Sequence, residues 1–379
     1  MRTVILAAGL LALGAAVSPG AHAAHRVHHA HRGHAVRPVQ PATGERLELD
    51  PASGNYRIAY FLPGDPRGRG AALHHGVYVP ATKIDPVVES EFIYRAEQRE
   101  VGYRYRIRNG THARQALVSV SLEPVSEISA LALPPTHGEV LPAERIAQLE
   151  GTAATALASP ASWSGTVRTS PAGGLRIDWR YAAGRPGQGL APGRTQEGFG
   201  VPADDLPGIA LARLSGAAPA PEFAGAWPDG DVGDRLSYLT MHDYITRPVA
   251  VPAVGIPDPY DPALLLDRIR DQTHTWVAIS LLDPIFSAAL DRHFTTAAAA
   301  LRAGDTQGAR FDLDAIRTEL AAQQPSLQPG VHCAAPKAAQ IGLLAARVLD
   351  FDLNYVMMRM GEGSVAAVPV IPAQAGIQR

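Results

Sequence analysis

Gly102-Tyr103-Arg104-Tyr105-Arg106-Ile107-Arg108-Asn109-Gly110 is followed a few residues later by Leu117-Val118-Ser119-Val120-Ser121-Leu122. Both runs alternate apolar with polar residues. That period of two places one side of a strand in a core and the other in water. Asn-Gly is a strong tight-turn signal. The spacing therefore predicts a β-hairpin from Tyr103 to Leu122, with Asn109-Gly110 at or near its turn.

More strand-like runs lie on both sides. Upstream are Tyr56 to Phe61, Gly76 to Val79 and Val87 to Tyr94. Downstream are Ser162 to Arg168, Gly174 to Tyr181, Gly198 to Val201 and Gly208 to Leu214. Gly and Pro separate them, as expected of an antiparallel β-sandwich over residues 47–216. Leu141 to Ala158 is Ala-rich and reads as a short helix or a long loop. Residues 217–260 read as a Pro-, Gly- and Asp-rich linker, with one strand near Val249 to Val254.

From Asp261 the period changes. Asp261-Pro262 and Asp283-Pro284 each pair an N-cap with proline at the first helical position. Apolar stripes follow at helical spacing: Leu265, Ile269 and Trp276; Phe286, Leu290, Phe294 and Ala297; Ala309, Leu313, Ile316 and Leu320. A fourth helix is predicted from about Pro336 to Met360. Four helices with short connections predict a small up-and-down bundle over 261–360. The expected architecture is thus multidomain, β then α, with a tail of no clear period at 361–379.

The first residues carry a different signal. Arg2, the apolar run Val4 to Val17 and Ala21-His22-Ala23 read as a secretory signal peptide over residues 1–23. Residues 24–46 then form a polar, His-rich tail with little to bury, expected to be disordered. The chain has one cysteine, Cys333, so an exported product would hold no intrachain disulfide. A cysteine so far downstream also argues against lipid attachment at the cleavage point. No later run reaches the roughly 18 apolar residues of a membrane span. The expectation is a soluble periplasmic or secreted protein. The formal net charge of −2 gives no electrostatic case for nucleic acid.

The segment Ile279 to Ala322 resembles the FIMAH domain, a helical module of secreted bacterial proteins. The carrying residues are Ser280-Leu281-Leu282, Leu290, Ala297 to Leu301, Gly304-Asp305, Ala309, Leu313, Ile316 and Ala322-Gln323. The chain departs from the pattern before Ile279, and in an extra loop holding Pro329, His332 and Cys333. The resemblance implies an extracellular accessory or binding module without catalytic residues of its own. The β-rich part resembles immunoglobulin-like accessory domains through its Tyr-x-Tyr-x-Ile-x-Asn-Gly run and through Pro192 to Phe199.

Several constellations could carry chemistry. His25, His28, His29, His31 and His34 have the ligand type for zinc, copper or nickel. A tail without fixed ligands or supporting hydrogen bonds reads first as a spacer that binds such ions weakly. Asp229, Asp231 and Asp234 on a Gly-rich stretch offer oxygen ligands of the kind calcium takes, although the EF-hand spacing is not met. The plainer reading is a solvated turn.

Neither Gly-x-Ser-x-Gly nor His-Glu-x-x-His occurs. His74-His75 and His242-Asp243 are adjacent pairs, which a strand would point to opposite faces. His332-Cys333 has no identifiable base beside it. Glu89, Glu91 and Asp178 lie on predicted strands, each expected to face solvent; a pair of such carboxylates could serve glycoside cleavage. Tyr103, Tyr105, Trp179 and Tyr181 could stack on a sugar or a protein, but alternating aromatics more often mark a buried face. No cofactor is implied beyond these metals. The leading expectation is a non-enzymatic exported accessory protein that binds a protein, glycan or envelope component. The alternative is a secreted hydrolase with a dispersed carboxylate-based site.

Overall fold

The computed structural model describes residues 44–62, 64, 72–97, 100–125, 143–169, 174–182, 188–220, 223, 227–327 and 339–360. Three strands come first: β1 (Arg46–Asp50), β2 (Asn55–Tyr60) and β3 (His74–Tyr78). β4 (Pro86–Arg95), β5 (Glu100–Asn109) and β6 (Leu117–Val125) follow, then helix α1 (Ala143–Ala156). Next are β7 (Trp163–Thr169), β8 (Leu175–Tyr181), β9 (Thr195–Ala203) and β10 (Leu206–Gly216). Helix α2 (Gly230–Met241) and strand β11 (Ile245–Val254) precede four helices. These are α3 (Pro262–Ala278), α4 (Pro284–Arg302), α5 (Thr306–Gln323) and α6 (Leu343–Met360).

The strands form three antiparallel sheets, ordered β1-β2-β3, β4-β5-β9 and β11-β10-β6-β8-β7. The hairpin expected from Tyr103 to Leu122 does not form. β5 and β6 sit in different sheets, and the chain crosses between them after Asn109. Asn109 is fully buried and serves as a post for the crossing. Its Nδ2 donates to Gln115 O at 2.8 Å and to Leu190 O at 2.9 Å, while its Oδ1 accepts from Asp85 N at 3.1 Å. A Cβ at Gly110 would lie 2.1 Å from Asp85 Oδ2, so the Asn-Gly pair is needed for a close approach, not for a two-residue turn.

The inward aromatics of the two larger sheets meet. Trp179 of β8 lies 5.9 Å from Tyr105 of β5 and 5.6 Å from Phe199 of β9, and Trp163 of β7 lies 5.1 Å from Phe199. β11 is an edge strand, and such edges leave backbone groups unpaired. Here Ala250 N donates to Ser90 Oγ at 3.0 Å and Ala250 O accepts from the Tyr105 hydroxyl at 3.0 Å. Side chains of one sheet thus complete the edge of the other.

Residues 217–260, read from sequence as a linker, hold α2 and the sheet strand β11. The repeated Pro, Gly and Asp of this stretch obscured α2, while the strand expected near Val249 to Val254 is β11. The described residues form one compact unit, and one cluster of buried apolar residues runs from the two larger sheets into α3, α4, α5 and α6. Leu206 to Ala210 and Val249 to Pro252 are buried without alternation, so these stretches of β10 and β11 are covered on both faces. Helix α3 comes so close that a Cβ on Gly208 would sit 2.8 Å from Gln272 Oε1. Helix α6 reaches β4, where Phe351 meets Phe92 at 5.0 Å and Tyr355 meets Tyr94 at 5.2 Å.

The helix starts follow their sequence signals. Asp261 accepts from Ala263 N and Leu264 N, and Asp283 from Ile285 N and Phe286 N. Each cap contributes on the order of 1 kcal/mol. Gly304 (φ +79°) closes α4, and Asp305 caps α5 by accepting from Gly308 N at 2.8 Å. α6 begins at Leu343, later than the predicted Pro336; residues 328–338 are outside the described residues. No described helix is long and apolar enough to cross a membrane.

Candidate functional site

A groove lies where α2 covers the small sheet. Val232, Leu236 and Leu239 recur at i, i+4 and i+7, so one stripe of α2 is apolar. It packs on Leu47, Ile58, Tyr60 and Tyr78, forming a second, separate core. The helix begins at Asp229, and Asp231 in its first turn sits near the positive end of the helix dipole. Arg235 lies one turn on, 3.9 Å from the Asp231 carboxylate. At the far end, Asp243 anchors the assembly. It accepts from the Tyr78 hydroxyl at 2.5 Å and from Ala81 N at 2.8 Å, and its carbonyl accepts from Ser215 Oγ of β10 at 3.1 Å. Burial and the adjacent carboxylate push the Tyr78 hydroxyl well above its usual range, so it stays a donor.

A groove of about 370 Å³ lies between this sheet and the helix. Leu47 and Tyr56 line it from the sheet, and Asp234, Arg235, Tyr238 and Leu239 from the helix. Arg235 Nη2 donates to Leu47 O at 3.3 Å across one end. Tyr238 is 62% exposed, and its ring lies 4.3 Å from that of His242. His242 Nδ1 is 2.8 Å from Tyr238 O, which fixes the imidazole against the end of the helix. Leu49 and Met241 are also exposed, as is Trp227, whose ring meets Phe223 at 5.1 Å. Open rings beside a guanidinium and two carboxylates suit a ligand with apolar faces and hydrogen-bonding edges.

Of the residues singled out from sequence, Asp234 lines the groove, and His242 and Asp243 stand at the far end of α2. His25, His28, His29, His31 and His34 lie outside the described residues, as do His332 and Cys333. The Asp229, Asp231 and Asp234 stretch is the start of helix α2 rather than a turning loop. Asp231 and Asp234, three apart, share a face of α2, but Asp229 is the N-cap that precedes it, so the three carboxylates do not form one ligand set. Among the described residues no group of three or more His, Cys, Asp or Glu is placed to hold a metal ion. Asp234 is nonetheless part of the groove lining.

Tyr103, Tyr105 and Trp179 are core residues, as the buried-face reading requires, and Tyr181 is half-buried against Trp163. Glu89 is exposed, 3.7 Å from Arg106, and Glu91 is half-buried. Asp178, expected to face solvent, is buried. It accepts from Arg176 Nε at 3.0 Å and Arg176 Nη2 at 2.9 Å, a fork that replaces its water. Ser90 and Trp179 point inward, so their neighbours Glu89, Glu91 and Asp178 occupy the outward faces of two different sheets. His74 and His75 sit on β3, where successive side chains alternate, as expected.

Tyr56, Arg235 and Tyr238 were not singled out by the sequence reading. The signal available for the helical pair was the Val232, Leu236 and Leu239 stripe.

No protein-family model matches the sequence, and no curated protein matches it. Among solved structures, the chain is similar to an uncharacterized protein from Nocardia farcinica whose crystal structure reveals an immunoglobulin-like fold. The identity is 11% over 43% of this chain and 96% of that one, with a TM-score of 0.22.

Proposed function

We propose that this is an exported, non-enzymatic binding protein whose contact surface is the groove between β1–β2 and α2. The observation that carries the reading is the pairing of an open, mostly apolar groove with the solvent-facing Tyr238 ring and the flanking Arg235 and Asp234. Exposed aromatics at a concave site give large contact area with little loss of side-chain freedom. In this reading β4-β5-β9 and β11-β10-β6-β8-β7 are the halves of an immunoglobulin-like sandwich. The α4–Gly304–α5 hairpin is a FIMAH-like accessory element packed on it. The export signal at residues 1–23 sets the partner pool as proteins, glycans and other components of the bacterial envelope or extracellular space.

The test compares wild type with Tyr238→Ala. Each is immobilised and challenged with envelope extract, and the retained component is purified for a binding isotherm. The expected result is saturable binding by wild type that weakens at least tenfold in the variant while the thermal midpoint holds. Equal affinity in both proteins removes the groove from the reading. Turnover in a hydrolase panel, abolished by a single substitution, replaces the binding protein with the hydrolase alternative.

A further inference from the structure

Asp352 sits in the middle of α6, and only 1% of its surface is exposed. Its neighbours along the buried side of the helix are Val348, Leu349, Leu353, Tyr355 and Val356. Its Oδ1 has no hydrogen-bond partner among the described residues. A carboxylate without donors in such surroundings is costly, whereas the neutral acid is tolerated. Burial is the cause that raises the Asp352 pKa well above its ordinary value.

Several charged and titratable groups on the elements around Asp352 are engaged elsewhere. On β5, Tyr103 is close enough to feel the Asp352 charge, but its hydroxyl donates to Asp205 O at 2.8 Å. On β4, Tyr94 packs edge-on against Tyr355. On α5, Arg317 pairs with Asp350 at 3.4 Å, two residues back and therefore on another side of α6. On α3, Asp267 and Arg270 join α4 through Arg302 and Asp291. On β11, Arg247 donates to Pro86 O, and on β10, Arg213 faces Glu123 and Tyr244. Further along α6, Arg359 lies 4.5 Å from the Tyr260 ring and donates to the Tyr355 hydroxyl. Nothing among these compensates a negative charge at Asp352.

We propose that α6 is a pH-operated latch: it docks on β4, α3 and α5 with Asp352 protonated, and ionisation of that carboxyl on rising pH releases it. The aromatic contacts Phe351–Phe92 and Tyr355–Tyr94 are the surfaces that part. Below about pH 4 the carboxyl is protonated docked or free, and the latch holds fully. Above that the free carboxyl ionises while the docked one does not. Release then gains up to tenfold per pH unit, until the docked carboxyl also ionises.

The test is hydrogen exchange of the full chain between pH 5 and 8, corrected for the intrinsic pH dependence of exchange. Protection of α6 should fall several-fold per pH unit while α4, α5 and the sheet strands keep theirs. Asp352→Asn should flatten the dependence. Asp352→Leu serves as a second variant should the amide fold poorly. Uniform loss of protection across all elements, constant α6 protection in wild type, or an undiminished slope in the folded variants would overturn the latch.

Discussion

Replacing Asn109 tests the account of how the chain passes between its two larger sheets. Asn109→Ala removes three hydrogen bonds at a site of zero exposure. The losses are unequal. Leu190 O keeps its bond from Leu117 N at 2.9 Å, so it remains satisfied. Gln115 O and Asp85 N lose the Asn109 side chain. An orphaned buried group costs about 1–3 kcal/mol, so two give about 2–6 kcal/mol, with the lower half expected because the Asp85 backbone is only partly buried. Asn109→Asp separates the two halves of the role. It keeps an acceptor for Asp85 N but turns a carboxylate toward two carbonyls. It should therefore be less stable than the alanine variant at neutral pH and recover, relative to wild type, as acid protonates it. Equilibrium denaturation followed by tryptophan fluorescence measures all three proteins. A loss below about 1 kcal/mol for Asn109→Ala, with an unchanged denaturant slope, would refute the crossing post.

Two further outcomes follow from packing and capping. Trp179→Ala empties the point where Tyr105 and Phe199 meet and should cost about 3–5 kcal/mol, read as a lowered denaturation midpoint. Asp283→Ala strips the two-bond cap of α4 and should cost about 1 kcal/mol, while Asp283→Asn should retain most of the stability; equal losses would mean that the cap is not the source.

Elements that announce themselves locally were legible in the sequence. The Asp-Pro starts at 261 and 283 and the Gly304-Asp305 turn mark α3, α4 and α5 because capping depends on a few adjacent residues. Strands with one face in the core, such as β5 and β8, show their alternation. What the sequence concealed was partnership. Asn109-Gly110 signals a sharp local backbone requirement, but the same pair serves a two-residue turn or a crossing between sheets. The choice is made by Asp85, Gln115 and Leu190, and Leu190 is remote in the chain. The groove was hidden for a related reason. Its helix lies in a stretch whose Pro and Gly content reads as connection, and its sheet residue Tyr56 gains meaning only opposite Tyr238. Asp352 was passed over because an acid inside an apolar helical stripe is visible as a residue type, while the depth of its burial depends on the strands and helices packed around it.

The same distinction explains why residues 217–360 cannot be an appendage to a finished β domain. A sheet that faced water on one side would show alternation in its strands, yet Val249-Ala250-Val251-Pro252 is buried throughout, as is Leu206 to Ala210 on the neighbouring strand. Continuous burial requires cover on both faces. Tyr105 and Ser90 reach the edge of β11 from the facing sheet, while Gln272 of α3 crowds Gly208 from the helical side. A chain ending at residue 216 would lose β11 from that edge. It would leave the Tyr105 hydroxyl and Ser90 Oγ without their backbone partners, and it would open the helix-facing side of β10 to water. The Pro- and Gly-rich segment after β10 therefore carries the strand on which the sheets and the helices both close.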